Sequence, residues 1–263
     1  MNHERYTFAQ QTLSKVPEVT IGFWIIKIAA TTLGETGGDW VTMSLGLGYL
    51  TGSVIFAVAF IALVAIQIRA QMFRPLLYWA VIVATTTLGT TLADFADRSL
   101  GIGYPGGVAV IFCLLVGSLA LWYWRHGTVS VDSITSPKVE RFYWTAILFS
   151  QTLGTALGDW TAGSDRGGVG LGYEYGAMIF SIGLALVAVL YLRTNLSRTL
   201  LFWAAFILTR PLGATLGDLL DKPVAEGGMQ LSRLSASSIL LGVILVCMLL
   251  IPQRPARHGE GAA

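Results

Sequence analysis

The sequence predicts an all-α, polytopic membrane protein of eight transmembrane helices, built from four parallel copies of one helical-hairpin repeat. Three observations predict it. Of 263 residues 54% are apolar and only 12% charged, with a mean hydropathy of +0.66, whereas average soluble domains carry about 25% charged residues. Apolar runs long enough to cross a bilayer alternate with basic and with Gly-rich connections. The same sentence also occurs four times: FWIIKIAATTLGETGGDW, YWAVIVATTTLGTTLADF, YWTAILFSQTLGTALGDW and FWAAFILTRPLGATLGDL. The net charge of +2 is too small to argue for nucleic acid.

A hydrocarbon core of about 30 Å needs about 20 apolar residues per helix, and eight segments qualify. The first, 19–39, leads into a Gly-Tyr turn ending at Tyr49, and the second, 49–68, is followed by Arg69 and Arg74. The third, 76–95, leads to a matching turn at Tyr104, and the fourth, 106–124, to Arg125, Lys138 and Arg141. The fifth, 141–160, leads to Tyr173, and the sixth, 176–193, to Arg193 and Arg198. The seventh, 199–218, has Ala225 to Arg233 in place of the Gly-Tyr turn, and the eighth, 234–251, precedes Arg254 and Arg257. With Arg5 and Lys15, one side collects eleven basic residues, against Arg98, Arg166, Lys222 and Arg233 on the other. The basic side is expected in the cytoplasm, which puts both termini there. The segment Met1 to Glu18 is polar, with no cleavable signal pattern.

The repeats, approximately 19–69, 74–125, 139–194 and 198–251 of a single membrane domain, register on Trp24, Trp79, Trp144 and Trp203. A glycine follows ten residues later (Gly34, Gly89, Gly154, Gly213) and an aspartate fifteen later (Asp39, Asp94, Asp159, Asp218). Such fixed spacing is the signature of an internal repeat. Each copy holds an even number of spans, so all four share one orientation, as in repeats about an axis along the membrane normal. The first helices are expected to form an inner ring, and the uniformly apolar second helices to face lipid.

At 100° per residue, positions 10 and 14 after the tryptophan form a small-xxx-small ridge: Gly34/Gly38, Gly89/Ala93, Gly154/Gly158 and Gly213/Gly217. Such ridges let helix backbones approach closely. Positions 8, 11, 12 and 15 fall on another face and read Thr32-Glu35-Thr36-Asp39, Thr87-Thr90-Thr91-Asp94, Thr152-Thr155-Ala156-Asp159 and Pro211-Ala214-Thr215-Asp218. Asp97 and Asp221 follow at position 18. Charged groups in spans are costly and mark ion or proton paths; the plainer role open to the aspartates is helix termination, and to the glycines packing alone. The tryptophans suit interface anchors. Lys27, one turn past Trp24, is expected to snorkel to the cytoplasm. Arg210 lies deeper, before the helix-kinking Pro211, and is expected to pair with a carboxylate.

Converging carboxylates, hydroxyls and backbone carbonyls suit hard divalent cations. The expected metal residues are Glu35, Asp39, Asp94, Asp97, Asp159, Asp218 and Asp221, supported by Thr32, Thr36, Thr87, Thr91, Thr152, Thr155, Arg210 and Lys27. Soft metals would call for Cys, Met or His. Cys113 and Cys247 sit in apolar runs without CxxC spacing, and His3, His126 and His258 lie in ends or loops. The expected function is divalent metal-ion transport, with Mn2+ as the favoured substrate, coupled to protons, with no prosthetic group. Lipids and the ion are the expected partners, a homo-oligomer is compatible with the sequence, and no enzyme activity is expected, since no nucleophile–His–acid set is present. The alternative is an organic-solute or anion carrier anchored by Arg210 and Lys27.

From Pro17 to Pro252 the four-copy T-L-G-x-x-x-G-D pattern resembles a family of bacterial inner-membrane proteins defined by four copies of a short repeat of unknown function. The resemblance implies metal-ion efflux and carries over Glu35 and the four motif aspartates as site residues. The fourth copy departs from it by Pro211 and Ala214, which puts its direct part in ion binding in doubt.

Overall fold

The computed structural model describes residues 13–134 and 136–257; Arg5, His3, His258 and most of the polar N-terminal segment lie outside them. Eight long helices run α1 (Ile21–Asp39), α2 (Gly48–Arg69), α3 (Pro75–Asp94), α4 (Tyr104–His126), α5 (Pro137–Ala162), α6 (Gly172–Arg193), α7 (Arg198–Asp221) and α8 (Arg233–Leu250). Local chemistry sets several starts. Thr20, Ser136 and Ser197 accept N-cap hydrogen bonds from Phe23, Val139 and Leu200, filling donors a helix start leaves open. Pro75, Pro105 and Pro137 stand in the first turns of α3, α4 and α5, where the missing N–H costs nothing. In the Gly-Tyr turns Gly46, Gly48, Gly101, Gly103, Gly170 and Gly172 all have positive φ, the backbone that glycine adopts freely. Two ring helices, α1 and α3, continue into π-helical turns, Trp40–Ser44 and Phe95–Ser99.

The first helices close a four-membered ring: α1 packs on α3, α3 on α5, α5 on α7 and α7 back on α1. In the span regions of α3 and α7 72% of residues are buried, against 11% to 22% in the four outer helices, whose exposed Val58, Ile61, Val116, Ile182 and Leu249 suit lipid. Among the described residues, six helices are long and apolar enough to cross a membrane. The other two, α1 and α5, carry Lys27, Glu35 and Asp39 or Lys138, Glu140, Arg141 and Asp159, and are the ring equivalents of α3 and α7.

Within a copy the two helices pack little on one another. Each outer helix lies mainly on the ring helix of the next copy: α2 on α3, α4 on α5, α6 on α7, and α8 on α1. The glycines set this order. A Cβ on Gly34 would meet Thr86, one on Gly89 the backbone of Gln151 and Thr152, one on Gly154 Arg210, and one on Gly213 Thr31, each at under 3.0 Å. Cβ atoms on Gly38, Gly158 and Gly217 would meet Thr90 at 3.1 Å, Ala214 at 3.0 Å and Glu35 at 2.6 Å. The small ridge of each copy therefore takes positions 7 and 11 of the following copy, and the fourth takes the first.

The tryptophan end is closed. Phe23, Tyr78, Tyr143 and Phe202 form a layer in which Phe23 packs on Trp79 at 5.4 Å, Tyr78 on Trp144 at 5.6 Å and Phe202 on Trp24 at 6.0 Å. The Tyr78 and Tyr143 hydroxyls are hydrogen-bonded at 2.7 Å. Trp79 and Trp144 are buried, so these are packing residues rather than the interface anchors expected; their place between neighbouring copies outweighs the pull of the headgroups. Over this layer, β1 (Leu13–Pro17) pairs antiparallel with β2 (Pro255–Arg257), so the two strands lie at one end. Lys15 pairs with Glu140 at 2.7 Å, and Trp79 and Trp203 donate to Gln253 Oε1 and the Val129 carbonyl.

Candidate functional site

At the opposite end the four motif aspartates are buried and turn inward in two pairs. Asp39 and Asp218 share the Lys222 ammonium, with Asp218 Oδ1 3.1 Å from Nζ. Asp94 and Asp159 share the Arg98 guanidinium at 2.6 and 3.5 Å. Both cations stand nineteen residues past the tryptophan of their copy, one helical turn beyond its aspartate. Each therefore reaches its own aspartate at i−4 and that of the next copy. Arg233 joins the first pair, 3.8 Å from Asp39 and 3.2 Å from Asp221. Arg98, Lys222 and Arg233 are not among the site residues expected from the sequence, where they count only toward the charge on the less basic side. The signal that finds the first two is D-x-x-D-[KR] in Asp94–Arg98 and Asp218–Lys222, present in the second and fourth copies alone. The ring is thus two-fold in charge though four-fold in shape.

Lys222 lies just past the end of α7. Burial pulls its pKa down, but Asp218, Asp39 and Asp221 outweigh that and hold it well above the ordinary ammonium value.

One turn deeper is the axis. Arg210 is fully buried, and its Nη2 donates to Glu35 Oε2 at 2.9 Å, Thr90 Oγ1 at 2.6 Å and Thr155 Oγ1 at 2.5 Å. One guanidinium nitrogen from the fourth copy therefore touches all three others, which fixes it at the ring centre. Glu35 is the carboxylate partner expected for Arg210. Around it Glu35, Asp39 and Asp218, all buried, offer carboxylate oxygens within 4.8 Å of one another. Charges of one sign that close are held together by Arg210 on one side and Lys222 on the other.

Other expected residues go elsewhere. Position 8 threonines turn back on their own helices, Thr32, Thr87 and Thr152 donating to the carbonyls four residues earlier at 2.8 to 2.9 Å. Position 12 faces the outer layer: Thr36 bonds Ser237 of α8 at 2.8 Å, and Thr91 and Thr215 lie against Gly52 and Gly176. The real axial stripe is positions 7 and 11, because helices crossing in a closed ring rotate the inward face from where a lone helical wheel puts it. Thr155 is on it; Thr32, Thr36, Thr87, Thr91 and Thr152 are not. Asp97 points at Gly107 of α4, where a Cβ would lie within 2.0 Å of its Oδ1, and so stands apart from the triad. Lys27 does not snorkel: it is fully buried, with its Nζ 3.9 Å from the Phe206 ring centre and donating to Thr209 Oγ1 at 3.4 Å. The aromatic layer blocks its way to the tryptophan end. Helix α7 runs unbroken through Pro211.

Fold and site together define a polytopic helical membrane protein, a closed ring of four repeats around a buried, charged axis. Its four copies at residues 22–73, 77–128, 142–197 and 201–252 match the family described as Repeat of Unknown Function (DUF347), and the chain belongs to that family. No curated protein and no solved structure matches it.

Proposed function

We propose that this protein carries hard divalent cations, Mn2+ foremost, outward across the bacterial inner membrane in exchange for protons, with both termini in the cytoplasm. The observation that carries the reading is the Glu35–Asp39–Asp218 triad, three buried carboxylates at metal-ligand spacing within the ring. Hard oxygen donors select Mg2+, Ca2+ and Mn2+ over softer ions. In this conformation the Lys222 ammonium stands between Asp39 and Asp218 where the ion would lie. The ion displaces it and leaves through the aspartate end, which faces outward; in this conformation the aromatic layer and terminal strands close the cytoplasmic end, through which the ion would enter. The bacterial location and the efflux direction rest on the family resemblance, and the orientation on the eleven-to-four bias of basic residues.

The anion-carrier alternative has less support, since the Arg210 charge is taken up by Glu35 and Lys27 is covered by Phe206. The test is uptake of Mn2+, Mg2+ and Ca2+ into proteoliposomes of purified protein, with internal pH recorded. Glu35→Gln, Asp39→Asn and Asp218→Asn should each abolish transport while the protein remains inserted. Wild-type rates in all three would refute the reading.

A further inference from the structure

Arg210 is built into the axis in a way that packing alone does not require. At its register the other copies carry Thr31, Thr86 and Gln151. Gly154 makes room for it: a Cβ there would lie 2.3 Å from Arg210 Cβ and Cγ. One turn on, where the other copies have Glu35, Thr90 and Thr155, the fourth has the small Ala214, and the guanidinium reaches into that layer. The fourth copy's departures are therefore one coordinated change that places a cation on the axis.

The cation is only half satisfied. All of its hydrogen bonds come from Nη2, while Nε and Nη1 have no partner among the described residues. A buried donor left unmade is costly. In the layer of Arg210's own backbone, Gln151 Oε1 and Nε2 and Thr86 Oγ1 are likewise buried and without hydrogen-bond partners. Unused donors on a cation thus accompany unused acceptors about four residues, or about 6 Å, along the same axis.

We propose that Arg210 is a resident cation with two seats, the Glu35–Thr90–Thr155 seat seen here and a second on Gln151 Oε1 and Thr86 Oγ1, and that a divalent ion takes Glu35 by moving the guanidinium from the first to the second. The inference rests on the cation-carrier reading above. A guanidinium suits the task because it keeps its proton in proteins: it vacates Glu35 by moving, so the positive charge stays inside the ring. Gln151 and Thr86 are then positioning residues, acting on the ion through Arg210.

The test is Mn2+ binding to the purified full-length protein by calorimetry. Arg210→Gln removes the competitor and should tighten binding about tenfold, which is about 1.4 kcal/mol. Gln151→Leu removes the second seat and should weaken it by about the same factor. The double variant should bind as Arg210→Gln does, because Gln151 acts only through the arginine. Should Arg210→Gln fail to fold, the Thr90→Val/Thr155→Val protein keeps the arginine, loosens the first seat and should also bind Mn2+ more tightly. Weaker binding in Arg210→Gln or in the double threonine variant overturns the two-seat exchange, as does an equal Gln151→Leu effect with and without Arg210. A wild-type protein that binds none of Mn2+, Mg2+ and Ca2+ instead overturns the cation-carrier reading beneath it.

Discussion

Gly213→Ala tests whether the ring closes between the last copy and the first. An alanine Cβ at 213 would lie 2.2 Å from Thr31 Oγ1, 2.5 Å from its Cβ and 2.8 Å from its backbone carbonyl carbon. Ordinary carbon contacts need about 3.5 Å or more, so α7 and α1 must part by roughly 1 Å, and a backbone atom cannot swing aside as a side-chain tip can. Overpacking of this kind costs about 1–3 kcal/mol, offset in part by the gain of up to about 1 kcal/mol from replacing glycine by alanine in a helix. A matched control is Gly117→Ala on exposed α4, where a Cβ meets nothing within 4 Å and the propensity gain stands alone. The two variants should therefore differ by roughly 2 kcal/mol, read as thermal unfolding in the same detergent by circular dichroism. If Gly213→Ala is as stable as Gly117→Ala, the two helices do not meet there and the closed ring is wrong.

Three further outcomes are expected. With Cys113 and Cys247 replaced, Thr36→Cys and Ser237→Cys should cross-link on mild oxidation, seen as a mobility shift, because their hydroxyls lie 2.8 Å apart between the first copy and the fourth; no shift would mean that α8 does not close on α1. Arg98→Met strands two buried carboxylates and should destabilise the protein by about 3 kcal/mol, with Asp159→Asn recovering part of the loss in the double variant; stability unchanged by Arg98→Met would show that the pairs do not form. Lys222 is held above its ordinary value of 10.5 by the aspartates around it, so what it adds to stability is fully present below about pH 10.5 and lost only as pH rises towards its folded pKa. The melting-temperature gap between wild type and Lys222→Met should accordingly stay constant from pH 7 to about 10; a gap that closes near neutrality would contradict the pairing.

The sequence by itself determined the number, order and approximate limits of the eight helices, the four-copy register and the ring of first helices, because these follow from apolar run length and from spacing along one chain. It also exposed the glycine ridge, the motif aspartates and the need of Arg210 for a carboxylate. Only the tertiary structure decided which copy each ridge meets. With the outer helix of each copy lying on the next, the contacts of one repeat are made by another, and no pattern within a copy records that. The same exchange explains why Lys222 of the fourth copy neutralises Asp39 of the first, why Trp79 and Trp144 are buried between copies, and why positions 8 and 12 turn away from the axis while 7 and 11 face it. A helical wheel gives the angle between side chains on one helix. Which of those angles points inward is set by how four helices cross, and that depends on side chains from 55 to 201 residues apart.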